Sequence, residues 1–118
     1  EISNKLKRSQ ITKKCLLTPY VGSIGNIAIH NKSGMFHLGS NVGKIELHNN
    51  LNINILEEYV FYYLKSYSGF LELSKFKKAT AQESISIDAI RETYIPIPSI
   101  TMQNIITIKI NQLFELLN

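Results

Sequence analysis

Side chains able to do covalent or acid-base chemistry are few and scattered: one cysteine, Cys15, three histidines, His30, His37 and His48, and the adjacent acids Glu57 and Glu58. A thiol paired with one of the imidazoles would make a nucleophile. Cys15, however, stands in an apolar run, where a buried cysteine behaves as a small hydrophobe rather than a reactive thiolate. A lone cysteine closes no internal disulfide, and the histidines lack H-E-x-x-H or any comparable ligand spacing, so no structural or catalytic metal is expected. Glu57 and Glu58 fall at a helix start, where the helix dipole accounts for them. Gly22-Ser23-Ile24-Gly25 lacks the lysine and the following helix of a phosphate loop. No catalytic site and no cofactor of the chain's own are expected.

Binding chemistry is better represented. Thirteen basic against nine acidic residues leave a net charge of +4, and the excess is clustered. Lys5, Lys7, Arg8, Lys13 and Lys14 fall in the first fourteen residues, and Lys75, Lys77 and Lys78 surround Phe76. Clustered lysines of this kind meet polyanions, so these eight are the candidate phosphate contacts. Asn26, Asn31, Gln82 and Ser84 are polar groups in turns or loops beside them, able to donate and accept at a base edge; the competing explanation is that amides and serines favour turns for local reasons.

At 118 residues, with 44% hydrophobic and 19% charged, the chain suits one small domain with a single core. No apolar run approaches the ~20 residues of a membrane span, which predicts a soluble, cytoplasmic protein without membrane contact. The start without methionine and the end inside a periodic pattern predict a piece of something longer. Residues 15–21 and Ile24, Ile27 and Ile29 read as two strands joined by the glycine turn. Met35 to Leu38 and Val42 to Leu47 read as further strands. Asn54 is placed as the cap of a helix running to about Ser66, with Leu56, Tyr59, Val60, Tyr63 and Leu64 inward. Gly69 is expected to break it, before a second short helix at 70–76 with Leu71, Leu73 and Phe76 inward. Residues 80–84 form a polar loop, and 94–98 must be extended because of Pro96 and Pro98. From about Thr101, Ile105, Ile106, Ile110, Leu113, Phe114 and Leu117 form the apolar face of an amphipathic helix, with Asn104, Thr107, Asn111 and Glu115 opposite. The fold class is α+β: a small antiparallel or mixed sheet with packed helices, ending in a helix that leads into a helical spacer.

Four segments, in order, resemble the specificity subunits of Type I restriction-modification systems. Residues 16–29 resemble a glycine-turn strand pair of that family, and 59–66 its aromatic recognition-domain helix. Ala81-Gln82-Glu83-Ser84-Ile85-Ser86 resembles the polar loop before the last strand, and residues 95–103 the proline-rich approach to a conserved helix. The segment 79–81 lacks the family's common glycine, and Met102 stands where an acidic residue commonly precedes the glutamine. The resemblance implies the C-terminal portion of a target recognition domain at 1–100 and the start of a conserved spacer helix at 101–118. It implies a noncatalytic subunit that reads double-stranded DNA. Partners would be a DNA methyltransferase subunit that binds S-adenosylmethionine, a restriction subunit that uses ATP and magnesium, and a second recognition domain or second copy. Ile106, Ile110, Leu113 and Leu117 would serve subunit contact. The alternatives are a structural or oligomerisation module whose lysines merely solvate it, and a small enzyme using Cys15.

Overall fold

A computed structural model describes residues 9–22, 24–32, 34, 36–49, 52–75 and 84–117. The central sheet is antiparallel, with strands β2 (Cys15–Pro19), β3 (Ala28–His30) and β5 (Val42–Ile45) in the order β3-β2-β5. A separate ribbon pairs β1 (Gln10–Ile11) with β4 (Phe36–His37). Alternation along β2 buries Leu16 and Thr18 on the helix side, while Cys15 is buried on the other. Gly22 and Gly25, at φ 81° and 89°, carry the turn between β2 and β3, as their spacing predicted. A side chain at Gly25 would also meet the Phe70 ring at 2.8 Å.

Helix α1 (Glu57–Lys65) lies on the sheet, and Tyr59, Val60 and Leu64 join Leu16, Ile27 and Leu73 in the core. Its start differs from the sequence expectation. The cap is Leu56, which has no capping side chain of its own, and Asn54 instead offers its backbone carbonyl to Gln103. Gly69 does not break the helical run either: Ser66 ends α1 and caps helix α2 (Tyr67–Ser74), accepting from the Gly69 amide at 3.2 Å. Gly69 is buried inside α2 because the two helices touch there. From that start Gly69 and Leu73 share the inward face four residues apart, and Leu71 turns outward, 49% exposed. Phe76 and most of the expected polar loop lie outside the described residues.

The expected last strand is reduced to one bridge, Val21 to Ser84, after which Ser86 caps a short helix, α3 (Ile87–Arg91), through the Ala89 amide. Ala89 is buried there, whereas Ile87 is half-exposed. Residues 93–99 are neither helix nor strand, as the prolines require, and Tyr59 donates its hydroxyl to the Pro96 carbonyl. Helix α4 (Ile100–Leu117) begins within a residue of its predicted start. The face it buries is not the apolar one. Gln103 and Thr107 are its buried residues, Ile106 and Ile110 are partly covered, and Leu113, Phe114 and Leu117 are 60%, 53% and 80% exposed. Polar bonding sites on α1 and on the proline segment select that face, and the helix's apolar excess is left outward. No helix among the described residues is long and apolar enough to cross a membrane.

Candidate functional site

β2 organises the candidate residues by dividing them. The antiparallel register pairs Cys15 with His30 and Leu17 with Ala28, so whatever follows β3 returns to the beginning of β2. Asn31 therefore lies with Lys13 and Lys14 at one end of the sheet, whereas Asn26 lies at the other end, where the chain leaves β2. Four steps of ~3.3 Å along β2 separate those ends by about 13 Å. The sequence places Asn26 and Asn31 alike in turns or loops beside basic clusters; the return register sets them at opposite ends of the sheet.

At the turn end, the Ile85 amide donates to the Tyr20 carbonyl at 2.8 Å and Ser84 bridges Val21, which brings the segment carrying Ser84 beside the glycine turn. Asn26 is exposed there. Val21 and Asn26, with Leu17, Pro19, Ala28 and Val42, line a shallow hollow of about 390 Å³ on the outer face of the sheet. Phe70 backs the turn from beneath at Gly25, so a loop rich in small residues is held by an aromatic ring. Asn41, at φ 63°, supplies the neighbouring corner, and its carbonyl accepts from the Tyr20 amide.

At the opposite end the expected phosphate contacts carry partners. Lys14 bonds Glu58 at 2.5 Å, and Glu46 accepts from Lys44 at 2.8 Å with Lys13 at 3.7 Å. The Lys44 hydrogen bond holds the Glu46 carboxyl below its usual range, helped by the charges of Lys44 and Lys13. Burial pushes Glu58 up, but the bond and charge from Lys14 outweigh it and hold the group below its usual range. Lys75 is likewise tied to Glu72 and to the Glu92 carbonyl, and lies over the Tyr94 ring at 4.8 Å. Lys32, beside Asn31, is exposed and forms no ion pair among the described residues. Charge clustering passed over it because it stands alone in sequence; its signal was adjacency to a polar strand end. Lys5, Lys7, Arg8, Lys77, Lys78 and Gln82 lie outside the described residues.

Cys15 offers no nucleophile. It is fully buried, and burial, with Glu46 nearby, pushes its thiol up, away from the thiolate. His30, its cross-strand neighbour, packs edge-on against Phe36 at 4.8 Å. Among the described residues no group of three His, Cys, Asp or Glu could hold a metal ion.

The described residues thus form a small α+β scaffold that exposes an amide-bearing turn at one sheet end and, at the other, a lysine with no ion pair among them. The chain belongs to the family described as Type I restriction modification DNA specificity domain, whose profile matches residues 1–118. It is 26% identical over 114 residues to the Type I restriction enzyme EcoBI specificity subunit of Escherichia coli. That match covers 97% of this chain and 23% of the relative, so the chain spans under a quarter of the protein it resembles.

Proposed function

We propose that this chain is a noncatalytic DNA-reading part of a Type I specificity subunit, and that its reading edge is the glycine-turn end of the sheet. The observation that carries this is the junction of Val21 with Ser84 and of Tyr20 with Ile85, which joins the two segments bearing polar candidates into one exposed edge. Asn26 presents an amide there in a turn whose backbone is fixed by positive-φ glycines and by Phe70. An amide suits the donor and acceptor pair of adenine, and a two-bond contact discriminates by about 1 to 3 kcal/mol. Gln82, two residues before Ser84, belongs to the same proposal. The distance along β2, about 13 Å, compares with a major groove about 12 Å wide, so Lys32 and Asn31 at the far end fall where a flanking phosphate would lie. Residues 1–100 would form the recognition part and α4 the start of the spacer.

Methylation and cleavage would belong to partner subunits, a methyltransferase using S-adenosylmethionine and a restriction subunit using ATP and magnesium. The outward residues Leu113 and Leu117 on α4 support a role in subunit contact, whereas Ile106 and Ile110 lean on the body of this chain. Selection of bound duplexes from a randomised pool, followed by fluorescence anisotropy, tests the reading. A defined target preference is expected, with Asn26→Ala relaxing one position of it. Equal affinity for all duplexes, or an Asn26→Ala loss uniform across sequences, would sink the assignment of this edge.

A further inference from the structure

We propose that Gln103 is the positioning residue that fixes the angle and register at which α4 leaves the body, an inference resting on the reading of α4 as a spacer. Gln103 has no exposed surface. Its Oε1 accepts from the Leu56 amide at 2.9 Å, and its Nε2 donates to the carbonyls of Asn54 at 2.8 Å and Pro98 at 2.9 Å. One side chain thus caps α1 from 47 residues away, holds the loop before α1 and holds the proline segment that feeds α4. Three of the four hydrogen-bonding positions of the amide are used, and all three partners are backbone groups that a shifted helix could not follow. A bond of this kind is directional, whereas an apolar contact tolerates sliding.

The remainder of the seam cannot do this work. Ile106 and Ile110 pack without directional bonds, and with Tyr59, Tyr62, Tyr63 and Ser66 they line an open hollow of about 240 Å³. Thr107, the next buried residue on that face, leaves its hydroxyl without a partner among the described residues. Among the described residues the next side-chain hydrogen bond from α4 to the body comes eight residues past Gln103, about 12 Å up the helix, where Tyr62 donates to Asn111 and stacks on Phe114 with ring centres 6.1 Å apart. These are half-exposed, so α4 is held by directional bonds at two points with only the apolar packing of Ile106 and Ile110 between them, and the deeper point is Gln103. Displacing it would free the helix to pivot about the Tyr62 contact or to slip by a turn, and any spacing the helix measures between two recognition domains would lose definition.

Pairs of nitroxide labels on Tyr67→Cys and Leu117→Cys, both exposed positions and the second well past the Tyr62 contact, read this directly by pulsed dipolar spectroscopy, with Cys15 buried and unlabelled. The parent should give one narrow distance distribution. Gln103→Met, which keeps length and loses the bonds, and Gln103→Glu, which keeps the acceptor and sets a carboxylate against two carbonyls, should each at least double its width while far-UV circular dichroism is retained. Tyr62→Phe, which removes only the half-exposed contact, should broaden it less. An unchanged distribution in a folded Gln103→Met chain would overturn the proposal. So would global unfolding of both Gln103 variants, because the residue would then serve the stability of the body and not the direction of the helix. The measurement uses no DNA: failure to bind duplexes would remove the DNA reading and leave the clamp standing, and an unbroadened distribution with intact DNA preference would do the reverse.

Discussion

Gly69 lacks a side chain because α2 approaches α1 so closely that a Cβ would lie 2.0 Å from the Tyr63 carbonyl oxygen and 2.6 Å from the Leu64 Cα. Those neighbours are backbone and cannot rotate away, so Gly69→Ala should cost on the order of 3 kcal/mol, seen as a lower midpoint in urea unfolding. A glycine read from sequence as a helix breaker is thus a helix contact, and only the partner helix reveals the difference. Glu46 shows a second property invisible in the one-dimensional string, since its two lysines come from β5 and from the segment before β2. Its carboxyl is held down in the folded chain, so its contribution is present above the unfolded value of about 4.3 and fades as pH falls through the folded one. Thermal melts should therefore drop more steeply below about pH 5 for the parent than for Glu46→Gln, with a difference under about 1 kcal/mol because the pair is partly solvated. Parallel curves would leave Glu46 without such a role.

Elements were legible where a strong period or a required backbone angle marks them. The glycine turn, the pairing of β2 with β3, the proline segment and α4 all follow from local pattern, because positive φ, fixed φ and a 3.6-residue period are properties of short stretches of chain. Which side of α4 faces inward was not legible. Its apolar residues outnumber those the body can cover, and the decision falls to Gln103, whose partners Asn54, Leu56 and Pro98 are brought to it only by the fold. Asn54 was misread for the same reason: a residue type favoured at helix starts sits two positions early, and a distant amide does the capping. The outward face carries its own test. Leu113→Lys with Leu117→Lys touches residues 60% and 80% exposed, so the melting temperature of this chain alone should barely change, while co-purification with a methyltransferase subunit or a second recognition domain should be lost. A large fall in melting temperature would place these leucines in the core of this chain instead.

At the scale of the whole molecule, a net charge of +4 overstates what the described surface offers to a polyanion. Lys13, Lys14, Lys44, Lys75 and Arg91 each face a carboxylate within 4 Å, so a phosphate that recruits one of them must first separate an existing pair. Lys32 has no such competitor among the described residues and lies at a sheet end with Asn31, about 13 Å along β2 from Asn26. Counterion release depends on cations that meet phosphate, each contributing about −0.9 to the slope of log affinity against log salt. Lys32→Ala should therefore make that slope shallower by about 0.9 and weaken all duplexes alike, with no change in melting temperature. Lys14→Ala should act in the opposite way, leaving the slope nearly unchanged and lowering the melting temperature, because Glu58 loses the partner that offsets its burial. If Lys14→Ala instead moves the slope as far as Lys32→Ala does, the ion pairs open on DNA, and the binding face extends across the end of the sheet that these carboxylates now occupy.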